Sequence, residues 1–295
     1  MLKLENKLVI FFIVISLLLF IFSFLNFSSL NKEKNKLRIV VTNGTFYDFV
    51  KNIGGDKVEL LNLSFISQGG HIHNVDLLPQ DISKLNSADI VLKIGYGLDD
   101  WINKYINNPQ IKIYELNKGV ELFQENNIIN PHYWLSIKNA KIIIKNLNNI
   151  LNSLDKKNSF YYNKKTNDYL TKLNELEELA KNKLTNLDKK TVIITHPAFN
   201  YLFKDYNIKI GATIYNDELK DLLPQDILNL GKLIKNEKIE IIFVESGFVT
   251  NLVSQIANIY NLKIFSLNPV EVIKENESYY QLMKNNIETI QEALK

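Results

Sequence analysis

The sequence predicts an α/β protein with two lobes, each a mainly parallel sheet flanked by helices, joined by one long backbone helix. Three observations lead to this fold class. Apolar runs rich in β-branched residues alternate with helical patterns in both halves of the chain. The stretch between the halves, 137–187, contains no Pro, no Gly and no strand pattern. The seven letters DLLPQDI occur at 76–82 and again at 221–227, which favours two lobes of one topology.

Residues 1–30 are predicted to form a signal peptide or an N-terminal membrane anchor. Lys3 and Lys7 precede an unbroken apolar run over 8–25, and a polar stretch follows it. At about 18 residues the run is long for a signal peptide and just long enough to span a bilayer. Because the two lysines are expected to stay cytoplasmic, the remainder should be exported. We therefore predict a periplasmic or otherwise extracytoplasmic protein, either released or tethered to the inner membrane through an uncleaved segment.

Residues 37–157 are assigned to an N-terminal α/β lobe. Pro79 suits the first turn of a helix, which supports a helix start at that point. The strand patterns are Leu37–Thr42, Val58–Leu63, Asp89–Ile94 and Ile111–Leu116. The helical patterns between and after them are Phe46–Ile53, Pro79–Ser87, Leu98–Ile106 and Ile137–Leu151.

Residues 158–187 are predicted to form the long linking helix. Apolar side chains recur at helical spacing, among them Tyr162, Tyr169 and Leu173. Asp155 or Asn158 is a suitable N-cap. A helix of about 30 residues would be about 45 Å long, which is enough to connect two lobes rigidly.

Residues 188–295 are assigned to a C-terminal α/β lobe that repeats the alternation. Its strand patterns are Thr191–Thr195, Ile208–Ile214, Ile239–Val244 and Leu262–Leu267. Its helical patterns are Ala198–Tyr206, Pro224–Asn236, Thr250–Tyr260 and Ser278–Leu294.

Composition excludes several classes of protein. The chain has 295 residues and no Cys, so it forms no disulfide, no thiolate metal site and no lipid-modified cysteine. Its net charge is only +3, and a single Arg stands among 35 basic residues. Since bidentate phosphate and guanine contacts favour Arg, we predict no binding of nucleic acid.

The four histidines are the candidate ligands for a metal ion. His73 lies in a Gly-containing loop after a predicted strand, together with His71, which we expect to be a solvated loop residue. His132 precedes a predicted helix, and His196 follows the strand at 191–195. Loops at the carboxyl ends of parallel strands are where such folds bind ligands, and imidazole is the commonest metal ligand. Spacing alone leaves open whether His73, His132 and His196 converge on a metal or are separate hydrogen-bonding residues.

Enzyme motifs are missing from the sequence. It contains no P-loop, no G-x-G-x-x-G, no H-E-x-x-H and no G-x-S-x-G. A zinc hydrolase with three His ligands would need a general base beside the metal-bound water, and no positioned carboxylate stands beside the His motifs. We predict that the protein is not an enzyme, with a zinc hydrolase as the alternative.

Several linked motifs make the chain resemble the metal-binding solute-binding proteins of zinc and manganese ABC importers, the cluster that also contains adhesin-type lipoproteins. The resemblance runs from about 37 to the C-terminus. The matching segments are HNVDLLPQDISKLNSADIVLKIGYGLDDWI (73–102), NPHYWLSIKNAKIIIKNL (130–147), THPAFNYLFKDY (195–206), LPQDILNLGKLIKNEKIEIIFVESGF (223–248) and SLNPV (266–270).

The resemblance implies a metal site made by His73, His132, His196 and Asn268. In this family the fourth ligand is normally the Asp of an L-D-P-L motif, which Asn268 replaces. Asn130 likewise replaces the Asp of the Asp-Pro-His-x-Trp motif. The family pattern implies that Glu245 supports the cleft rather than binding metal. A His in the third ligand position resembles the zinc-importing branch of the family, and imidazole-rich sites suit zinc. We therefore predict Zn²⁺ as the bound ion, with Mn²⁺ as the alternative.

The implied function is that of an extracytoplasmic, monomeric receptor. It would bind the ion in an interlobe cleft and deliver it to an ABC permease and its ATPase. The two Asn replacements leave a second reading open, in which the chain is an adhesion-type or degraded relative with weak metal binding.

Overall fold

Two four-stranded sheets organise the computed structural model, and both have the same strand order. The strands of the first are β1 (Leu37–Val41), β2 (Val58–Leu60), β3 (Ile90–Lys93) and β4 (Lys112–Glu115), in the order β2-β1-β3-β4. The strands of the second are β7 (Thr191–Ile194), β8 (Lys209–Thr213), β9 (Ile241–Glu245) and β10 (Lys263–Leu267), in the order β8-β7-β9-β10. Strand β1 pairs in parallel with β3, β3 with β4, β7 with β8 and β9, and β9 with β10. The predicted pair of parallel α/β lobes is confirmed.

The structure describes residues 16, 36–64, 75–125, 127–185, 187, 191–215 and 224–295. The predicted signal or anchor run over 8–25 therefore lies outside the described residues, apart from Ser16. No described helix is both long and apolar enough to cross a membrane. Residues Arg38–Lys295 form one compact unit, which contains the whole second sheet and all of the first sheet except Leu37.

The repeated heptapeptide marks equivalent helices in the two lobes. Helix α2 (Pro79–Ser87) and helix α6 (Pro224–Glu237) both begin at the Pro of DLLPQDI. In each lobe this helix lies between the second and third strands in chain order. Pro has no N–H to leave unsatisfied at the first helical position, which explains why both helices begin there.

The remaining helices cover the sheets and form the connection between them. Asn43 caps the helix that begins at Gly44, because its side chain accepts a hydrogen bond from the Phe46 N–H. These helices are α1 (Gly44–Gly54), α3 (Ile137–Leu154), α4 (Ser159–Leu184), α5 (Asn200–Asp205), α7 (Asn251–Tyr260) and α8 (Tyr279–Leu294).

Helix α4 is the long backbone helix that the sequence predicts. Its 26 residues give a length of about 39 Å. It packs against α3, against α1 of the N-terminal lobe and against the C-terminal helix α8. Asp48 joins these elements, since it accepts hydrogen bonds from the Tyr169 hydroxyl on α4 (2.7 Å) and from the Tyr279 N–H on α8 (3.3 Å).

Two local features differ from the sequence expectation. The predicted helix at 98–106 is instead a 3₁₀ helix over Asp100–Tyr105. Two short antiparallel strands, β5 (Gln124–Glu125) and β6 (Ile128–Ile129), lie in a stretch with no predicted element. Both differences fall on short segments, where tertiary contacts outweigh local propensity.

Candidate metal centre

His132 and His196 meet between the two lobes. Their ring centroids are 4.8 Å apart, and the rings are nearly perpendicular. The two residues are 0% and 3% exposed. His132 lies in the turn before a 3₁₀ helix at 133–135, and His196 lies two residues after β7. The structure therefore brings together two of the predicted ligands from separate lobes.

The N-terminal lobe orients His132 through a neutral amide. The Asn130 side-chain oxygen lies 2.9 Å from His132 Nδ1 and accepts a hydrogen bond of 3.0 Å from the His132 N–H. The adjacent Tyr133 hydroxyl donates to the Ile94 carbonyl at 2.8 Å, just beyond the carboxyl end of β3. The other ring nitrogen, Nε2, lies 3.5 Å from Oε1 of Glu271.

The C-terminal lobe orients His196 beside a carboxylate. Strands β7 and β9 are neighbours, so the segment that follows β7 lies beside the last residue of β9. His196 Nδ1 is 3.2 Å from Oε2 of Glu245, which is buried. A carboxylate at this distance favours a proton on Nδ1, which places the lone pair of the neutral ring on Nε2. This position agrees with the supporting role that the family resemblance implies for Glu245.

Glu271 is a buried carboxylate beside His132. Its Oε1 lies 3.5 Å from His132 Nε2, and the residue is 4% exposed. Its backbone oxygen accepts a hydrogen bond of 2.6 Å from the N–H of Gly44. A Cβ on Gly44 would lie 2.7 Å from that oxygen, so only glycine permits this close approach. The start of α1 therefore fixes the segment that carries Glu271.

Asn268, the predicted fourth ligand, uses its side chain in a turn. Its Oδ1 accepts a hydrogen bond of 2.7 Å from the Val270 N–H. Val270 is a buried β-branched residue with φ of 58°, a left-handed conformation that such residues rarely adopt. The Thr45 hydroxyl donates to the Val270 carbonyl at 2.6 Å. Asn268 thereby stabilises the strained turn that directs Glu271 toward His132.

The predicted ligand His73 lies outside the described residues, as does His71. Within the described ranges, no group of three or more His, Asp or Glu side chains is arranged to hold a metal ion. The histidines and carboxylates above therefore form pairs that need a further ligand to complete a site. A loop that follows β2 at the edge of the N-terminal sheet is the predicted source of that ligand.

Trp134 packs beside the histidines and contacts the opposite segment. Its ring centroid is 5.2 Å from that of His132, and its indole N–H donates to the Pro269 carbonyl at 2.9 Å. The side chain is fully buried. It therefore stabilises the junction by packing and offers no metal-binding atom.

Burial raises the pKa of two groups in the region that supports His132. Burial raises the pKa of Tyr133 well above its ordinary value, so its phenol stays a donor. It also raises the pKa of Asp99, although this carboxyl group accepts hydrogen bonds from Thr42 Oγ1 (2.6 Å) and the Ile94 N–H (2.6 Å). These bonds fix the turn at the end of β3 on which Tyr133 rests.

A cavity opens beside His196 in the C-terminal lobe. Its volume is about 320 Å³, and Thr195, Tyr215, Glu245 and Phe248 are among its lining residues. The Tyr215 and Thr250 hydroxyls share a hydrogen bond of 2.6 Å at its wall. The site thus has an open side in this lobe.

The chain belongs to the family of the periplasmic zinc-uptake complex component A, whose model matches residues 39–293. This family assignment agrees with the resemblance drawn from the sequence motifs.

Curated relatives cover nearly the whole chain. The manganese ABC transporter substrate-binding lipoprotein PsaA of Streptococcus anginosus is 31% identical over 88% of this chain and 89% of its own. The metal ABC transporter substrate-binding lipoprotein ScbA of Streptococcus cristatus is 30% identical over 90% of this chain and 92% of its own. These relatives are substrate-binding proteins of transporters rather than enzymes, in agreement with the prediction of no catalytic activity.

Solved structures share the fold. The solute-binding protein FpvC of Pseudomonas aeruginosa, in complex with Ni²⁺, superposes with a TM-score of 0.78 at 25% identity, over 88% of this chain and 97% of its own. The laminin-binding protein of Streptococcus agalactiae gives a TM-score of 0.79 at 22% identity, over 88% and 100%. At 22% identity the second likeness supports the fold alone.

Sequence reasoning missed the position of Glu271. The only local signal is a carboxylate three residues after Asn268, in the string NPVE. That spacing does not reveal the direction of the side chain, because the left-handed backbone at Val270 sets it.

Proposed function

We propose that the protein is the extracytoplasmic receptor of an ABC importer for divalent metal ions, and that it binds the ion as cargo between its lobes. The observation that carries this proposal is the contact between His132 and His196, one from each lobe, with a buried carboxylate beside each ring. Imidazole and carboxylate groups are the ligand types that divalent transition metals bind, so their proximity here favours a cation as ligand.

The proposed ligand set is His73, His132, His196 and Glu271. Among the described residues these side chains form pairs rather than a group of three, so the proposal includes a shift of Glu271 or of a histidine toward the ion. In both described histidines Nδ1 lies close to another protein group, and the proposal assigns Nε2 to the ion. Glu271 replaces Asn268 in the set, because the Asn268 oxygen already accepts the Val270 N–H while Glu271 approaches His132. A carboxylate also supplies the negative charge that an amide lacks.

Zinc is the favoured cargo and manganese the alternative. Three imidazoles and one carboxylate make a four-coordinate site of the kind that zinc prefers, whereas oxygen-rich sites suit manganese. Manganese stays open because several relatives carry that metal in their names.

The proposed partners are a membrane permease and its ATPase. The relatives are called lipoproteins, but this sequence has no Cys on which a lipid could be placed. We therefore propose that attachment to the membrane, if the segment is not cleaved, uses the apolar run over 8–25.

The function is tested by metal analysis and competition. The full-length chain, purified in detergent and stripped with a chelator, is titrated with Zn²⁺ and with Mn²⁺, separately and in competition. We expect one zinc ion per chain and displacement of manganese by zinc. Tighter binding of manganese would reverse the choice of cargo, and binding of neither ion would overturn the function.

The fourth ligand is tested by a pair of neighbouring variants. Glu271→Gln should weaken zinc binding by about 100-fold, because it removes a charged ligand. Asn268→Asp should change it by less than about 3-fold, since an Asp oxygen can still accept the Val270 N–H. A large gain with Asn268→Asp and no loss with Glu271→Gln would assign the fourth ligand to position 268 instead.

A further inference from the structure

The Asn130 amide contacts both histidine-bearing segments at once. Its Oδ1 faces the backbone N–H and Nδ1 of His132, at 3.0 and 2.9 Å. Its Nδ2 donates a hydrogen bond of 2.8 Å to the carbonyl of Pro197, the residue after His196. One side chain, 6% exposed, therefore links the N-terminal lobe to the C-terminal lobe beside the site.

The backbone partners fix the orientation of this amide. A flipped amide would direct its NH₂ group at the His132 N–H and its oxygen at the Pro197 carbonyl, and both contacts would be repulsive. With Oδ1 facing the ring, His132 can complete a hydrogen bond only by carrying its proton on Nδ1, because an amide oxygen only accepts. The neutral ring then has its lone pair on Nε2.

The backbone of Asn130 is held across the same interface. The hydroxyl of Tyr201, on α5 of the C-terminal lobe, donates to the Asn130 carbonyl at 2.6 Å. The same hydroxyl accepts a hydrogen bond of 3.0 Å from the Phe123 N–H, in the segment that leads into β5. Burial raises the pKa of Tyr201 to about 12, so the phenol stays protonated as a donor.

We propose that Asn130 is a positioning residue that joins the two histidine loops into one hydrogen-bonded unit and sets the tautomer of His132 for cargo capture. The proposal rests on the proposed function for its role in metal binding. The carboxylate that the family normally has here could orient His132, but it would present an oxygen to the Pro197 carbonyl. The amide satisfies both loops, and it does so without adding a charge to the site.

A matched control residue lies in the same region. Asn139 is 1% exposed, and it too binds a backbone donor and a backbone acceptor, the N–H and carbonyl of Glu121, each at 2.8 Å. Its side-chain hydrogen bonds join it to Glu121 rather than to either histidine. Asn139→Ala should therefore cost stability as Asn130→Ala does, without the changes at the site.

The first measurement reads the tautomer directly. The full-length chain in detergent, free of metal and labelled with ¹⁵N-histidine, gives only four imidazole spin systems, since the sequence has four His. We expect His132 to carry its proton on Nδ1 in the unaltered chain and in Asn139→Ala. Asn130→Ala should shift it toward a mixture of tautomers, and Asn130→Asp should restore the Nδ1–H form.

The second measurement is the rate of zinc release to a chelator. We expect Asn130→Ala to release zinc about 10-fold faster than both the unaltered chain and Asn139→Ala. A loss of this size is typical when a residue that hydrogen-bonds a metal ligand is removed. If Asn130→Ala matches Asn139→Ala in tautomer and in release, the proposal is overturned. If the unaltered chain binds no metal, the proposed function fails, while the tautomer measurement still decides the role of Asn130.

Discussion

The two lobes share one strand order but hold their histidines with different chemistry. In the N-terminal lobe, Nδ1 of His132 faces the neutral amide of Asn130 at 2.9 Å. In the C-terminal lobe, Nδ1 of His196 lies 3.2 Å from the Glu245 carboxylate. A carboxylate partner raises the basicity of an imidazole more than an amide does. The two halves of the site therefore differ electrostatically, although the two lobes have the same strand order.

The lobes also differ in how they deliver their groups. The C-terminal lobe uses three adjacent strands, since His196, Glu245 and Glu271 lie at or after the ends of β7, β9 and β10. In the N-terminal lobe, His132 comes from the turn that precedes α3. The repeated heptapeptide thus belongs to helices that the two lobes have in common. It contributes no residue to the described part of the site.

The largest expected effect comes from removing one histidine from either lobe. His132→Ala and His196→Ala should each weaken zinc binding by more than about 100-fold, because each loses a ligand rather than an outer partner. Calorimetric titration of the metal-stripped chain measures this loss. His71→Ala serves as the control and should bind as the unaltered chain does. A variant of one lobe that binds normally would show that this lobe does not contribute its histidine.

The two buried glutamates should differ in their effects. Glu271→Gln removes a proposed ligand and should weaken zinc binding by about 100-fold. Glu245→Gln removes the partner of His196 and should weaken zinc binding by about 10-fold. Zinc affinities of both variants, measured side by side, test this ranking. The reverse ranking would make Glu245 the ligand and Glu271 the supporting residue.

A smaller effect is expected when a glycine that packs against backbone atoms is replaced by alanine. In Gly44→Ala the new Cβ would meet the backbone of Glu271 and Ile273 at 2.7 Å, which forces the segment to move. We expect a loss of about 1–3 kcal/mol in the free energy of unfolding and weaker zinc binding.

The control for that variant is a helical glycine of the C-terminal lobe. In Gly231→Ala the Cβ would meet the tip of the Tyr260 side chain, which is partly buried and can rotate away. We expect little change in stability, with unaltered zinc binding. Thermal melts and zinc titrations of the two variants should separate them, and equal effects would refute the role of Gly44 in fixing the Glu271 segment.

The smallest expected effect is a pH dependence at Asp48. Burial raises the pKa of this carboxyl group above its ordinary value, so the folded state favours the protonated form. The folded protein then loses stability as the pH rises from the unfolded-state pKa through the folded-state value. The stability of Asp48→Asn relative to the unaltered chain should therefore increase over that range and then level off. Urea unfolding from pH 4 to pH 8 measures this, and the opposite slope would contradict it.

Much of the fold could be predicted because its signals are local. Apolar runs bounded by turn residues gave the strands of both lobes, and the absence of Pro and Gly from 137–187 gave the helical connection. The predicted end of α4 at 187 is close to its end at Leu184. The 3₁₀ turn at Asp100–Tyr105 and the hairpin at 124–129 depend on tertiary contacts, which short sequence windows do not carry.

Only the site residues that lie in recognisable sequence motifs could be predicted. His132 and His196 were named from their motifs, and the structure brings them together. Glu271 was missed because its direction depends on the turn at Val270 and on the approach of Gly44 from another lobe. The double role of Asn130 was equally hidden, since Pro197 is its partner across 67 positions of sequence. The assignment of His73 stays a prediction.

The central claim is that both lobes bind one divalent ion, and anomalous diffraction at the zinc edge tests it most directly. Crystals of the chain grown with zinc should show a single strong peak within coordination distance of Nε2 of both His132 and His196, with Glu271 and His73 as the other neighbours. Zinc located elsewhere, or bound to residues of one lobe alone, would contradict the account.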